Sequence, residues 1–301
     1  MGGITMIMKY ECLPCLVKQV LKVADLMKVE KEEKELLMRQ VFSYLSTMNY
    51  KVTNPEVIGA TFELIKQHMH QPDPYHEIRT YYNQLFMSMI EEFEIRIEAS
   101  SNPFEMAVKY AILGNIIDFN PIHNITEQDI LKIFEQIDQR AIVINHVGQL
   151  LQDIRTKTNL LYLGDNCGEI CLDRLLIKKM KQYNPNLEIT FAVRGEPVVN
   201  DSIKEDAYQV GIQSYATILS NGDNSLGTVL TRVSKEFLKV YQKAEIIISK
   251  GQANFESLSH EVDKNIYFML ITKCEVIARE LGVDDNSMVC KQLHSSLDEA
   301  K

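Results

Sequence analysis

The stretch LLYLGDNCGEICLD (160–173) ends an apolar run in Asp165 and Asn166, a carboxylate beside an amide carbonyl. Hard oxygen donors of this kind suit Mg²⁺ or Mn²⁺ better than a thiophilic metal. A third oxygen is available from Asp201, in VVNDSIKEDA, where the competing role is a helix N-cap. Glu169 stands four residues after Asp165, in the first turn of the following helix. There it either serves as a proton acceptor or partner of a water on the metal, or only complements the helix dipole. Lys250 closes the apolar run EIIISK, and Gly251 then lets the backbone approach a ligand closely. An ammonium beside a divalent cation suits a phosphoryl group, whose charge both neutralise. The plainer role for Lys250 is a lysine snorkelling from a strand end. In SNGDNSLGTVL, Gly222 and Gly227-Thr228 offer free amides of the kind that bind anions at a helix start.

The cysteines point elsewhere. Cys12-x-x-Cys15 has the spacing of half a zinc site or of a redox dithiol, and with Cys274 it forms a candidate second metal site, for zinc or iron, or a redox site. No second C-x-x-C follows, since Cys167 and Cys171 are separated by three residues. Cys171 and Cys290 read as small buried hydrophobes. His68 and His70 sit at i and i+2, which point apart on a helix, so they do not form a metal pair.

The elements that must position these residues fall into two rhythms. From Glu11 to about His146 apolar residues recur at helical spacing, with breaks at NYKVTNPEV, HQPDPYH, SSNPFE and DFNPIHNITEQD. Five or six helices are expected there. After Asn159, short β-rich runs alternate with amphipathic segments: LLYLG (160–164), EITFAVRG (188–195), YATILSNG (215–222), EIIISKG (245–251) and IYFMLITK (266–273). That alternation predicts right-handed βαβ units in a mostly parallel, doubly wound sheet, a three-layer α/β/α sandwich. The domains expected are a helical bundle over 1–155, covering a cleft, and a Rossmann-like α/β domain over 156–301. In such a sheet the carboxyl ends of the strands share one edge, where ligands bind. The five runs end there in Gly164-Asp165-Asn166, Arg194-Gly195-Glu196, Asn221-Gly222-Asp223, Lys250-Gly251-Gln252 and Lys273-Cys274, so polar residues converge from distant parts of the chain. Arg194, Gly222, Lys250 and Gly251 are the candidate substrate contacts among them.

Composition narrows the partners. A net charge of -9 opposes attraction to nucleic acid or anionic membranes and leaves small molecules as the expected partner. No apolar run approaches a membrane span, and the start lacks the pattern of a signal peptide, so a cytoplasmic protein is expected. Six cysteines in 301 residues are too few for a disulfide-built scaffold.

Taken together, GDNCGEICLD, VRGEPVVNDSIKEDA, SNGDNSLGTVL, SKGQANFESL and TKCEVIARELGV closely resemble the damage-control phosphatases, long filed as domain of unknown function 89. CLPC near the start, DPYHEIRTYYN and GNIIDF (114–119) are similar to that family's helical domain. The resemblance implies an α/β/α sandwich with a helical domain over its crevice, and divalent-metal-dependent removal of phosphate from small phosphorylated metabolites, with Mg²⁺, Mn²⁺, Co²⁺ or Ni²⁺ as the metal. It implies Asp165, Asn166 and Asp201 as metal ligands, Lys250 as a phosphate-binding lysine, and Glu169, Asn115 and Asp118 as residues lining the cleft. The early C-x-x-C suggests the family's microbial branch.

Two other readings compete. LGDNCGE loosely mimics the glycine-rich first turn of an S-adenosylmethionine-dependent methyltransferase, although Asp and Asn stand where glycines would admit a cofactor. A non-catalytic metal or redox sensor would instead be built on Cys12, Cys15 and Cys274.

Overall fold

A computed structural model of the chain describes residues 6–116 and 126–295. The helical rhythm of the first half becomes α1 (Leu13–Leu26), α2 (Lys31–Thr47), α3 (Asn54–Met69), α4 (His76–Ser88), α5 (Ile90–Ala99) and α6 (Pro103–Leu113). The breaks supply the caps. Thr53 and Glu56 form a capping box before α3, and the Asn102 side chain accepts from Glu105 N before α6. α7 (Glu127–Glu135) opens on a second capping box, from Thr126 and Asp129.

These helices divide between two cores. α1, α2 and α3 close on one another through Leu16, Val20, Leu37, Val41, Phe62 and Ile65. α4, α5 and α6 instead send Phe86, Phe93, Tyr110 and Leu113 into the apolar layer that covers one face of the sheet. The first three helices therefore form a cap, and the next three form part of the sandwich.

The sheet has seven strands: β1 (Ile142–Asn145), β2 (Asn159–Leu163), β3 (Glu188–Val193), β4 (Thr217–Ser220), β5 (Ile246–Lys250), β6 (Ile266–Ile271) and β7 (Met288–Gln292). Their spatial order is β1-β7-β6-β5-β2-β3-β4, and every neighbouring pair is parallel except β6 with β7. All residues of β5 and β6 are buried, as expected of strands covered on both faces. α8 (Val147–Thr156) and α9 (Glu169–Tyr183) pack on the face shared with α6. α10 (Lys204–Gln209) follows β3. α11 (Lys235–Lys243), α12 (Gly251–Leu258) and α13 (Glu275–Leu281) cover the opposite face through Phe237, Tyr241, Phe255, Leu258 and Ile277.

The five β-rich runs are β2 to β6, and β1 and β7 add two strands to them. β1 is an edge strand with a single buried residue of four, and its short apolar run, Ile142 to Ile144, falls inside the stretch with helical rhythm. It arises before residue 155 and pairs with β7 near the other end of the chain. Residues 228–243, TVLTRVSKEFLKVYQK, lie between β4 and β5, where the alternation predicts a helix; they are helical only from Lys235, because Ser234 caps α11 there and its own N–H is drawn to Asn221 O at 2.8 Å.

Candidate active site

β2 lies beside β5, the central strand of the sheet. From it the chain builds outward through β3 and β4, then returns to β2's other side with β5 and β6. The switch point of an open α/β sheet, its usual ligand crevice, thus falls between β2 and β5. Asp165 leaves β2 there and Gly251 leaves β5. Gly251 has φ +78°, and a Cβ on it would stand 2.0 Å from Asp165 Oδ2. Its missing side chain makes room for the carboxylate itself.

The Asp165 and Asp201 loops are zipped together. Asn166 and Asp201 form an antiparallel bridge, Cys167 N donates to Asn200 O at 3.0 Å, and Ser202 N and Oγ donate to Asp165 O at 2.8 and 2.9 Å. Asp201 does not cap a helix: Asp206 Oδ2 accepts from Ile203 N at the start of α10. Asp201 Oδ2 accepts from Arg194 Nε at 2.6 Å, and Arg194 Nη2 lies 3.6 Å from Asp165 Oδ1. The guanidinium also reaches Thr228 Oγ1 and Asn254 Oδ1, so Arg194 is buried between the two acids and away from the cavity.

A second layer supports Asp165, and one of its members, Asn115, itself lines the cavity. Asn115 Nδ2 donates to Asp165 Oδ2 at 2.9 Å and to Glu169 Oε2 at 2.7 Å, and Asn166 Nδ2 donates to the same two atoms at 2.8 and 3.2 Å. With its nitrogen so committed, Asn166 has its carbonyl oxygen left for the cavity it lines. Gly114 permits this packing, since a Cβ there would stand 3.2 Å from Glu169 Cα. Glu169 Oε1 accepts from Lys250 Nζ at 2.5 Å, and Lys250 also donates to Asp173 Oδ1 at 2.6 Å and Ala111 O at 2.8 Å. All three ammonium hydrogens are thereby used, and Lys250 is wholly buried rather than snorkelling to solvent. Lys250 and Glu169 therefore hold Asn115 and Asn166 in place from behind instead of facing the cavity.

Four buried carboxylates, Asp165, Glu169, Asp173 and Asp201, face two buried cations, Arg194 and Lys250. Burial shows in the protonation of Asp165, Asp173 and Asp201. Burial, with Asp201 and Glu169 nearby, pushes Asp165 well above the carboxylate range. Burial raises Asp201 despite Arg194, and raises Asp173 to about 6 despite Lys250. Burial also opposes the charge on Lys250, but Asp173 and Glu169 outweigh it and hold the ammonium protonated.

Asp165, Asn166 and Asp201 open on a cavity of about 250 Å³ between the sheet edge and the cap. The cap contributes Leu16, Gln19, Asn54 and Ile58, and also Cys12 and Cys15. Cys274 stands outside the lining, its Sγ 4.0 Å from Gln252 Nε2. Burial lifts the Cys12 thiol to about 11, which leaves it neutral and weakly nucleophilic. Among the described residues, no group of three or more His, Cys, Asp or Glu side chains is arranged to hold a metal ion; the candidate oxygen set is two carboxylates and an amide. Gly222 has φ +78° and its Cβ position lies 2.8 Å from Ser234 Cβ, so it serves a tight turn outside the cavity. Asp118 lies outside the described residues.

Two further residues emerge here. Lys273 is exposed and lines the cavity; it had stood in the sequence at a strand's carboxyl end. Asp173 shares Lys250 with Glu169, and their i, i+4 spacing on α9 was the sequence signal for a common face. Gln19 and Asn54 carried no such signal.

The model for the damage-control phosphatase ARMT1-like domain matches residues 8–289. The chain belongs to this family. A damage-control phosphatase of Pyrococcus horikoshii is 29% identical to this family member over 283 residues, 94% of this chain and 96% of that one. A damage-control phosphatase of Archaeoglobus fulgidus is 33% identical over 221 residues, 73% of this chain and 75% of the other. The crystal structure of a P. horikoshii protein described as a DUF89 family member superposes with a TM-score of 0.84 at 29% identity, covering 95% of this chain and 99% of that one. Among the described residues no helix of this damage-control phosphatase family member is long and apolar enough to cross a membrane.

Proposed function

We propose that this chain hydrolyses the phosphoryl ester of a small phosphorylated metabolite in a divalent-cation-dependent reaction, with Asp165, Asn166 and Asp201 holding the cation. The observation that carries the reading is a cluster of four buried carboxylates with two buried cations at the switch point, of which Asp165 and Asp201 line the cavity and the rest stand behind them. A dication fits that donor set, because it offsets the two uncompensated negative charges, and hard oxygens favour Mg²⁺ or Mn²⁺, with Co²⁺ or Ni²⁺ as substitutes. When bound, such an ion polarises a phosphoryl oxygen and offsets the charge that develops on it. Lys273 supplies the ammonium that meets phosphoryl oxygens, a part the buried Lys250 leaves to it. Asn115, Glu169 and Lys250 keep Asp165 and Asn166 oriented. The amides of Gln19, Asn54, Asn200 and Gln252 hydrogen-bond the body of the substrate, and Leu16, Ile58, Val199 and Leu226 pack its carbon skeleton. At about 250 Å³ the cavity falls below the roughly 300–1,000 Å³ of drug-sized sites, which favours a small metabolite over a polymer.

Family membership and the names of the relatives support phosphatase chemistry over methyl transfer. The test is a screen of phosphorylated sugars, nucleotides and cofactor fragments with Mg²⁺, Mn²⁺, Co²⁺ or Ni²⁺. Phosphate release that requires an added cation and stops with a chelator is the expected result. Turnover of none of these esters under any cation would overturn the reading.

A further inference from the structure

The stretch DPYHEIRTYYN and the cysteine between the candidate ligands, Cys167, have no place in the site as described so far, and the structure joins them. Asn83, on α4, is wholly buried beneath the loop that carries Asp165 and Asn166. Its Oδ1 accepts from Gly168 N at 2.7 Å. Gly168 has φ +77° and turns the chain from Asn166 into α9, so this bond fixes the turn between Asn166 and Glu169. The Asn83 Nδ2 donates in the other direction, to Gln209 Oε1 at 2.9 Å and Asp206 Oδ1 at 3.4 Å on α10. Asp206 in turn holds Ile203 N, two residues after Asp201. Arg79, one turn earlier on α4, binds Asp206 Oδ2 at 3.0 Å and both oxygens of Asp73 at 2.7 and 2.6 Å. Cys167 fills the space beside Asp206 and Arg79 as a buried neutral thiol.

One amide from a helix of the N-terminal half therefore touches the loop that carries Asp165 and Asn166 and, through Asp206, the start of the helix that follows Asp201. We infer that Asn83 is a positioning residue that sets the spacing of Asn166 and Asp165 against Asp201, and through that spacing the affinity for the divalent cation. The inference rests on the proposed cation-dependent reading of the site. Side chains that orient ligands from behind commonly change metal affinity by about 10–100-fold when removed.

The test is Mn²⁺ binding by isothermal titration calorimetry to the full chain and its Asn83→Ala variant, with p-nitrophenyl phosphate hydrolysis measured across a Mn²⁺ titration. The expected result is a Kd for Mn²⁺ raised about tenfold or more, with kcat at saturating Mn²⁺ within about threefold of the parent, a split that a loss of folded protein would not produce. A folded Asn83→Ala protein whose Mn²⁺ Kd stays within about twofold of the parent overturns the inference while leaving the cation-dependent reading intact. A parent protein that binds no Mn²⁺ overturns both. If alanine prevents folding, Asn83→Asp keeps the side chain's size but loses the Nδ2 donors and sets a carboxylate beside Asp206. Its Mn²⁺ Kd is read against the same two outcomes.

Discussion

Lys250 shows how a residue's chemistry changes once its neighbours are known. In the sequence it stands at the end of a strand beside a glycine, which suits a phosphate contact. In the fold its three hydrogens are taken by Glu169, Asp173 and Ala111 O, so it neutralises two buried acids. Removing one partner of a buried ion pair leaves an uncompensated charge. Lys250→Met is therefore expected to lower unfolding free energy by about 3–5 kcal/mol, measured by urea denaturation at neutral pH. An unchanged midpoint would mean that the ammonium is not engaged as described. The positions of Asp165, Asn166 and Lys250 at strand ends were legible because strand termini are marked by the apolar run that precedes them. The partners of Lys250 were not, since Asp173 and Ala111 reach it only through the packing of α9 and α6 on the sheet.

Among the elements, the switch point between β2 and β5 determines which strand ends matter. β2 to β6 could be read from alternating β-rich and amphipathic runs, and with them the edge where Asp165 and Gly251 meet. β1 and β7 could not: the first is an exposed edge of four residues, and the second is a short strand that runs antiparallel to β6. The seating of the cap was equally hidden. α3 meets α12 through Asn54, whose Nδ2 donates to Glu256 Oε2 at 3.3 Å. Burial raises Glu256 from 4.5 to about 7. The folded protein then holds a proton that the unfolded chain releases, so this group's contribution to stability falls as pH rises from about 4.5 through about 7. Glu256→Gln keeps an oxygen for Asn54 and removes the titration. Its unfolding free energy, measured by urea denaturation, is expected to gain on the parent as pH increases across that window, approaching a difference of about 3 kcal/mol. A constant gap between the two proteins from pH 5 to pH 8 would contradict this.

For the whole molecule, the cap of α1–α3 and the sheet edge enclose one cavity, with the oxygen ligands below and amides and aliphatic side chains above. A chain with net charge -9 does not attract polyanions, so the proposed function relies on a cation at the site and on Lys273 in the cavity lining to reconcile an acidic protein with an anionic small substrate. The central claim is that Asp165, Asn166 and Asp201 make that site cation-dependent. Its most direct test is phosphate release from p-nitrophenyl phosphate during a Mn²⁺ titration, for the parent and for Asp165→Ala proteins shown to be folded by circular dichroism. The parent should show saturable activation by Mn²⁺, with activity in Asp165→Ala lower by at least about 100-fold at every concentration, the loss expected when a group acting on the developing charge is removed. Full Mn²⁺-activated turnover in the folded Asp165→Ala protein would contradict the account.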